Sequence, residues 1–227
     1  MKRIYLIMLM IVAMMVSCNP KDEDDNNNSG GNGNNGGGSD GKINGHEYVD
    51  LGLPSGLKWA TCNVGATSPE DYGDYFAWGE TSPKAEYTIE NSITYGEQMS
   101  DISGNAQYDA ATANWRGSWR MPTKDEMQEL LDYCEFEWTQ NNGVDLYKIT
   151  GPNTNSIFLP AVGYRFGTSS FGSCIIGCYW TSTSIGYDSD AYHLYLDRNY
   201  ESNYVVDADI KLYNNRSYGH AIRPVSD

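Results

Sequence analysis

Cys174 and Cys178, close together on a Gly/Ser-rich stretch, and the histidines His46, His193 and His220 are the side chains whose chemistry would matter most in an enzyme. A nucleophilic serine of the hydrolase type needs a Gly-x-Ser-x-Gly elbow, and none is present. His46-Glu47 is followed by Asp50 where a second His would have to stand, so the helical zinc motif fails. With 30 acidic residues in the chain, carboxylates within reach of one another are expected by chance, and no acid and base can be named. Asp188 with Asp190, and Asp207 with Asp209, could offer oxygens to calcium from strand ends, with solvated surface carboxylates as the simpler reading. The expectation is a protein without catalytic residues, metal site or cofactor.

What remains is a tyrosine-rich segment. Residues 179 to 218 hold eight of the 18 tyrosines, interleaved with Asn, Asp, Ser, His and Arg. Tyrosine gives large contact area at low entropic cost, and small polar neighbours adapt their hydrogen bonds to a ligand. The outward set expected to bind is Tyr195, Asp197, Arg198, Asn199, Tyr200, Tyr213, Asn214, Asn215, Arg216 and Tyr218. Within it, Asp190 to Asp197 alternates, which predicts Tyr192, Leu194 and Leu196 inward and His193, Tyr195 and Asp197 outward. Tyr204, Val206, Ala208, Ile210 and Leu212 repeat the period of two.

Several elements must carry these residues. Thr123 and Glu126 form a capping box after Pro122, so a helix starts at Lys124, and Met127, Leu130, Leu131 and Cys134 place one apolar stripe on a core. Residues 45 to 65 read as strand, Leu-Pro-Ser-Gly turn and strand, and Tyr72 to Glu80 as a further aromatic strand. A polar surface excursion over 81 to 107 leads to a short helix at Ala110 to Trp115. After the capped helix come strands at Glu135 to Gln140 and Val144 to Thr150 around Asn141-Asn142-Gly143. Ser156 to Tyr164 follows, with Pro160 demoting part of it to an edge, then a Ser/Gly loop from 167 to 177 and a strand at Cys178 to Ser184. Short strands, long loops and one long helix predict an α+β domain rather than a wound α/β fold.

The N-terminus sets the compartment. Lys2 and Arg3, an apolar run from Ile4 to Val16 and then Ser17-Cys18 have the order of a secretory signal over residues 1 to 17, with a lipobox that predicts lipid on Cys18. Residues 19 to 41 contain no apolar side chain, and the stretch from 18 to 44 is expected to be a disordered tether for a domain over 45 to 227. Without Lys2 and Arg3, 13 basic residues face 30 acidic ones, a net charge near −17 that argues against nucleic acid and anionic lipid as partners. Membrane contact is expected through the lipid alone. An exported chain permits disulfides; Cys62 with Cys134 is the favoured pair, stapling an early strand to the end of the helix, while Cys174 and Cys178 could pair or stay free.

Glu47 to Ala60, Asp74 to Glu80, Trp119-Arg120-Met121-Pro122-Thr123, Ile157 to Ala161, Tyr179-Trp180 and Ile222-Arg223-Pro224-Val225 together resemble the Fibrobacter major paralogous domain, found in surface lipoproteins of Bacteroidetes. The Lys-acidic run after Cys18 resembles the surface-export signal of such lipoproteins. This implies an outer-membrane location facing the cell exterior, with the periplasmic side as the alternative. Arg120 to Glu126 is also similar to the formylglycine-generating enzyme superfamily, which implies a C-type-lectin-like fold in which first and last strands pair and long loops present a ligand. That superfamily's oxidase uses a pair of cysteines, for which Cys174 and Cys178 are the candidates, but without the arginine-rich context. Neither the Trp-Asn-Asp nor the Glu-Pro-Asn triplet of calcium-dependent sugar binding occurs. The expected function is therefore a non-catalytic surface module for binding or adhesion, with a glycan or protein ligand. A structural subunit of a surface assembly, or an oxidase or hydrolase, are the alternatives.

Overall fold

A computed structural model of the chain describes residues 39–186, 189–198 and 205–227, without the side chains of 205–207, 212 and 213. The folded part begins with a hairpin, β1 (Gly41–Ile43) and β2 (His46–Asp50), closed by Asn44 and Gly45 at φ 47° and 89°. Two successive positive φ values make the tight turn that matches strand twist. Residues 41 to 44, expected in the tether, are therefore part of the domain. The Leu53 to Gly56 turn leads to β3 (Lys58–Ala60), antiparallel to β2.

From 72 to 80 the expected strand is absent as a ladder. Phe76 makes one isolated bridge to His220, and Trp78 donates its N–H to the Arg216 carbonyl. Phe76, Ala77 and Trp78 are buried all the same, because tertiary contacts rather than a neighbouring strand take their backbone groups. The excursion that follows carries a one-turn 3-10 helix at Ile89–Asn91 and ends at α1 (Ala110–Trp115), capped by the Asp109 carboxylate.

Helix α2 (Lys124–Tyr133) starts where its capping box predicts: Thr123 Oγ1 accepts from Glu126 N at 3.2 Å and Glu126 Oε2 accepts from Thr123 N at 2.8 Å. Met127 and Leu130 are fully buried, Leu131 and Cys134 half-buried against the same cluster. Each fully buried side chain of this size contributes about 2 kcal/mol. Arg120, just upstream, grips Glu126 with two bonds of 2.7 and 2.8 Å and Asp227 with a third of 2.7 Å, so it braces the helix entry to the C-terminal strand.

The second half is antiparallel: β4 (Glu135–Asn141), β5 (Val144–Thr150), β6 (Ser156–Pro160), β7 (Tyr164–Phe166), β8 (Ser169–Phe171), β9 (Ile176–Ser184), β10 (Asp190–Arg198), β11 (Val205–Asn215) and β12 (Val225–Ser226). Asn142 and Gly143, at φ 51° and 80°, close β4 on β5, and Pro160 ends β6 at the sheet edge. The sheets are β1-β2-β3-β12, β4-β5-β6, β7-β8 and β11-β10-β9. The last strand shares a sheet with the first but pairs with β3, so the expected pairing of first and last strands is not formed. A mostly-β α+β domain is what the structure has.

Two clusters make the core. One joins Met127 and Leu130 of α2 to Tyr147, Leu159, Tyr179, Leu194 and Leu196; the other joins Trp78, Trp115, Trp119, Trp180 and Ile222. Cys134 packs against the first and Cys62 against the second, and none of Cys62, Cys134, Cys174 and Cys178 is joined in a disulfide. The expected Cys62 to Cys134 staple is therefore not formed. The fully buried Arg223 ties the domain's two ends: it donates to Asn63 Oδ1 and to the carbonyls of Ala60, Thr61 and Phe158.

Candidate functional site

In the sheet β9–β11 the cover over each face decides which residues are buried. Between Ala191 and His193 the register of β10 shifts against both neighbours, with the extra residues in β9 and β11, so β10 itself keeps its alternation. His193 stays on the face opposite Leu194, as its alternation predicts, but is only 4 % exposed because Trp180 and His220 cover it. Tyr192, expected inward, is half-buried with Lys124 5.2 Å over its ring. Leu194 and Leu196 face the core as expected.

Cross-strand pairing then writes one face of this sheet as rows: Trp180, His193 and Lys211; Cys178, Tyr195 and Asp209. Gly163 bridges Gly177 in parallel, which brings Tyr164 beside Cys178 and extends the row into β7 and β8. Burial, and then the neighbouring Tyr218 and Cys178, push the Tyr164 hydroxyl up. Tyr164 and its strand partner Phe171 stack at 5.5 Å, Tyr218 stacks on Tyr164 at 5.7 Å, and Phe166 leans on Tyr218 at 5.1 Å. These four rings form one contiguous surface. Its outer members are solvent-facing, Phe166 at 46 % and Phe171 at 43 % exposure.

Histidines back the rings. His220 stacks on Trp180 at 4.0 Å and lies 6.2 Å from Tyr164, and His193 meets His220 edge-on at 5.0 Å. The Asn214 amide nitrogen sits 3.3 Å from His193 Nε2 and 3.1 Å from His220 Nε2. Its two N–H groups suit two acceptors, which places each imidazole proton on Nδ1. Neither Nδ1 has a well-formed hydrogen bond among the described residues, with only the Lys211 backbone near that of His193. Burial, aided by Lys211, lowers His193 to about 4; burial and then His193 hold His220 well below the ordinary imidazole range. Both rings are neutral at pH 7.

The expected binding set is thus divided. Tyr195 and Asp197 lie on this face, joined by a 3.2 Å bond, with the Lys211 to Asp209 ion pair alongside. Tyr218 belongs to the ring surface, and Asn214 holds the histidines behind it. Arg198 is on the other side of β10, with its guanidinium 4.5 Å over the Trp138 ring in a cleft of about 270 Å³ lined by Trp138, Thr139, Gln140 and Arg198. Asn215 caps a turn by accepting from Ser217 N. Arg216 is not a surface cation: it is fully buried, stacks at 4.4 Å on Trp78 and donates to the carbonyls of Thr94, Glu97 and Asp190 and to Ser184 Oγ. Its hydrogen-bond geometry matches loop carbonyls that no local pattern predicts. Asn199, Tyr200 and the Tyr213 side chain, like Cys18, lie outside the described residues.

Tyr164, Phe166 and Phe171 were missed because the stretch from 167 to 177 reads as a Ser/Gly loop. The available signal was Tyr-Arg-Phe and Ser-Ser-Phe flanking Gly167-Thr168, a hairpin with glycine first in the turn at φ 57°.

For chemistry the thiols are poorly placed. Burial pushes the Cys178 thiol far up and that of Cys134 up to about 11, the reverse of what a thiolate nucleophile needs. Of the calcium candidates, Asp188 and the Asp207 side chain lie outside the described residues, Asp190 accepts from Ser189 Oγ, and Asp209 is held by Lys211. Among the described residues no three His, Cys, Asp or Glu side chains come together as a metal site. Compared with protein-family models, curated proteins and solved structures, the chain has no match.

Proposed function

We propose that the chain is a non-catalytic ligand-binding module of the cell surface, lipid-anchored through Cys18 at the outer membrane, with a C-type-lectin-like domain. Its ligand stacks on Tyr164, Phe166, Phe171 and Tyr218, with Tyr195, Asp197, Asp209 and Lys211 as the polar flank. The observation that supports this reading is the contiguous ring surface whose outer phenylalanines are more than two-fifths exposed. Exposed rings of this kind are costly to keep unless they meet something. Flat rings beside hydrogen-bonding groups suit a sugar, whose apolar face stacks while its hydroxyls are satisfied at the rim.

The test is a panel of microbial and host glycans presented to the purified protein, with and without chelator. Binding is expected to survive chelation and to fall at least about tenfold in the Phe166→Ser, Phe171→Ser double variant, while Arg198→Ala leaves it intact. Undiminished binding by the double variant would remove the ring surface from consideration. A panel with no glycan ligand at all would exclude the sugar and leave a protein surface as the ligand of the same rings.

A further inference from the structure

Strands that end a sheet are normally blunted against pairing with another chain by shortness, charge, proline or bulges. Most edges in this domain follow the rule. β1 carries Lys42, β6 carries Pro160, β4 carries Glu135 and Glu137, and β11 carries Lys211 beside two register shifts. β8 has only its shortness. Its residues are Ser169-Ser170-Phe171, all three exposed, with no charge, proline or bulge.

Which backbone groups of β8 are open follows from its neighbour. Arg165 of β7 exchanges both backbone bonds with Gly219, at 2.8 and 2.9 Å, so its N–H and C=O point away from β8. The pairs Tyr164 with Phe171 and Phe166 with Ser169 therefore carry the ladder bonds, and the N–H and C=O of Ser170 point outward. No described residue bonds them.

We propose that this edge pairs with β8 of a second copy of the chain, antiparallel about a two-fold axis at Ser170. Two-fold symmetry about Ser170 sets each Ser170 against its counterpart as a hydrogen-bonded pair, and each Phe171 against the second copy's Ser169. The pattern is self-complementary in size: Phe171 lies over the small Ser169 of the other chain, next to that chain's Phe166. The result is one row across the junction, Tyr164, Phe171, then the second copy's Ser169 and Phe166. Two ring surfaces become a single one of twice the length. The edge itself is independent of whether the rings bind a glycan. Three residues from each chain form a small contact beside the roughly 1,200–2,000 Å² of stable interfaces, so the dimer is a weak one that tethering on a surface would favour.

Disulfide trapping tests the register. In a hydrogen-bonded antiparallel pair the Cα atoms are about 5.5 Å apart, within disulfide reach. Under mild oxidation of the full chain, Ser170→Cys is expected to give a dimer joined at position 170, mapped by mass spectrometry. Thr168→Cys, displaced along the strand by about 14 Å from its own counterpart, should not be joined. Sedimentation of the unmodified protein should show reversible dimers that Ser169→Lys weakens at least about tenfold, since symmetry introduces the charge twice, with an unchanged melting curve. A monomer throughout, trapping at 168 as readily as at 170, or a dimer indifferent to Ser169→Lys would each overturn the proposal. Loss of glycan binding with the dimer intact would bear on the ligand alone.

Discussion

Acid should unfold this domain earlier than its carboxylates require, because two of its three histidines are buried uncharged. His193 is only 4 % exposed and is lowered by burial, then by Lys211, to about 4, against an ordinary value of 6.5. The folded state then binds fewer protons than the unfolded one between those two values. Stability is fully present above pH 6.5 and is lost as pH falls towards 4. For His193 alone the loss at pH 5 is about 2 kcal/mol. His220 acts in the same direction, since a second charge would face the first ring across 5.0 Å. Urea titrations followed by tryptophan fluorescence are suitable, because Trp180 stacks on His220. With a slope of about 2 kcal/mol per molar, the urea midpoint should drop by about 1 M from pH 7 to pH 5 through His193 alone. His193→Gln keeps a partner for Asn214 and removes one titration, so the drop should shrink by about that 1 M, with the part due to His220 remaining. Equal midpoints at pH 7 and pH 5 in the unmodified protein, or an undiminished drop in the glutamine variant, would refute the reasoning.

Two further outcomes separate scaffold from site. Thr123→Ala removes the acceptor for Glu126 N and should lower stability by about 1 kcal/mol in the same titration, leaving ligand affinity unchanged. Arg216→Met should cost about 3 kcal/mol or more, because it leaves the carbonyls of Thr94, Glu97 and Asp190 without their donor in a buried place; a near-neutral result by calorimetry would mean water replaces the guanidinium.

What could be read from the sequence was local. The span of α2, the short α1 and the β4 to β5 hairpin each follow from residues within a few positions: a cap three residues from its partner, or Asn-Gly between alternating runs. The misreadings have long-range causes. Alternation puts His193 on the right face but cannot announce that His220, 27 residues further on, covers it there. Arg216 looks like a surface cation until carbonyls from 94 and 97, over a hundred residues away, converge on it. Cys62 and Cys134 suited a staple by compartment, yet each packs against a different cluster. The face proposed to bind was half legible: Tyr195, Asp197 and Tyr218 lie on or beside it, but its exposed rings come from a hairpin whose composition reads as loop.

Arg223 has a consequence in time as well as in space. Its guanidinium bonds to positions 60, 61, 63 and 158, and its neighbours Ala221, Ile222 and Val225 complete both core clusters. Until residues 220 to 226 have been synthesised, the emerging polypeptide has neither the donor for those carbonyls nor the strand that β3 pairs with. Folding is thereby deferred until those residues have been made, because loop-closure entropy must be met before such distant contacts reward it. A nascent chain of this design stays threadable until its β12 segment has emerged, which is the physical state that passage through a narrow channel demands.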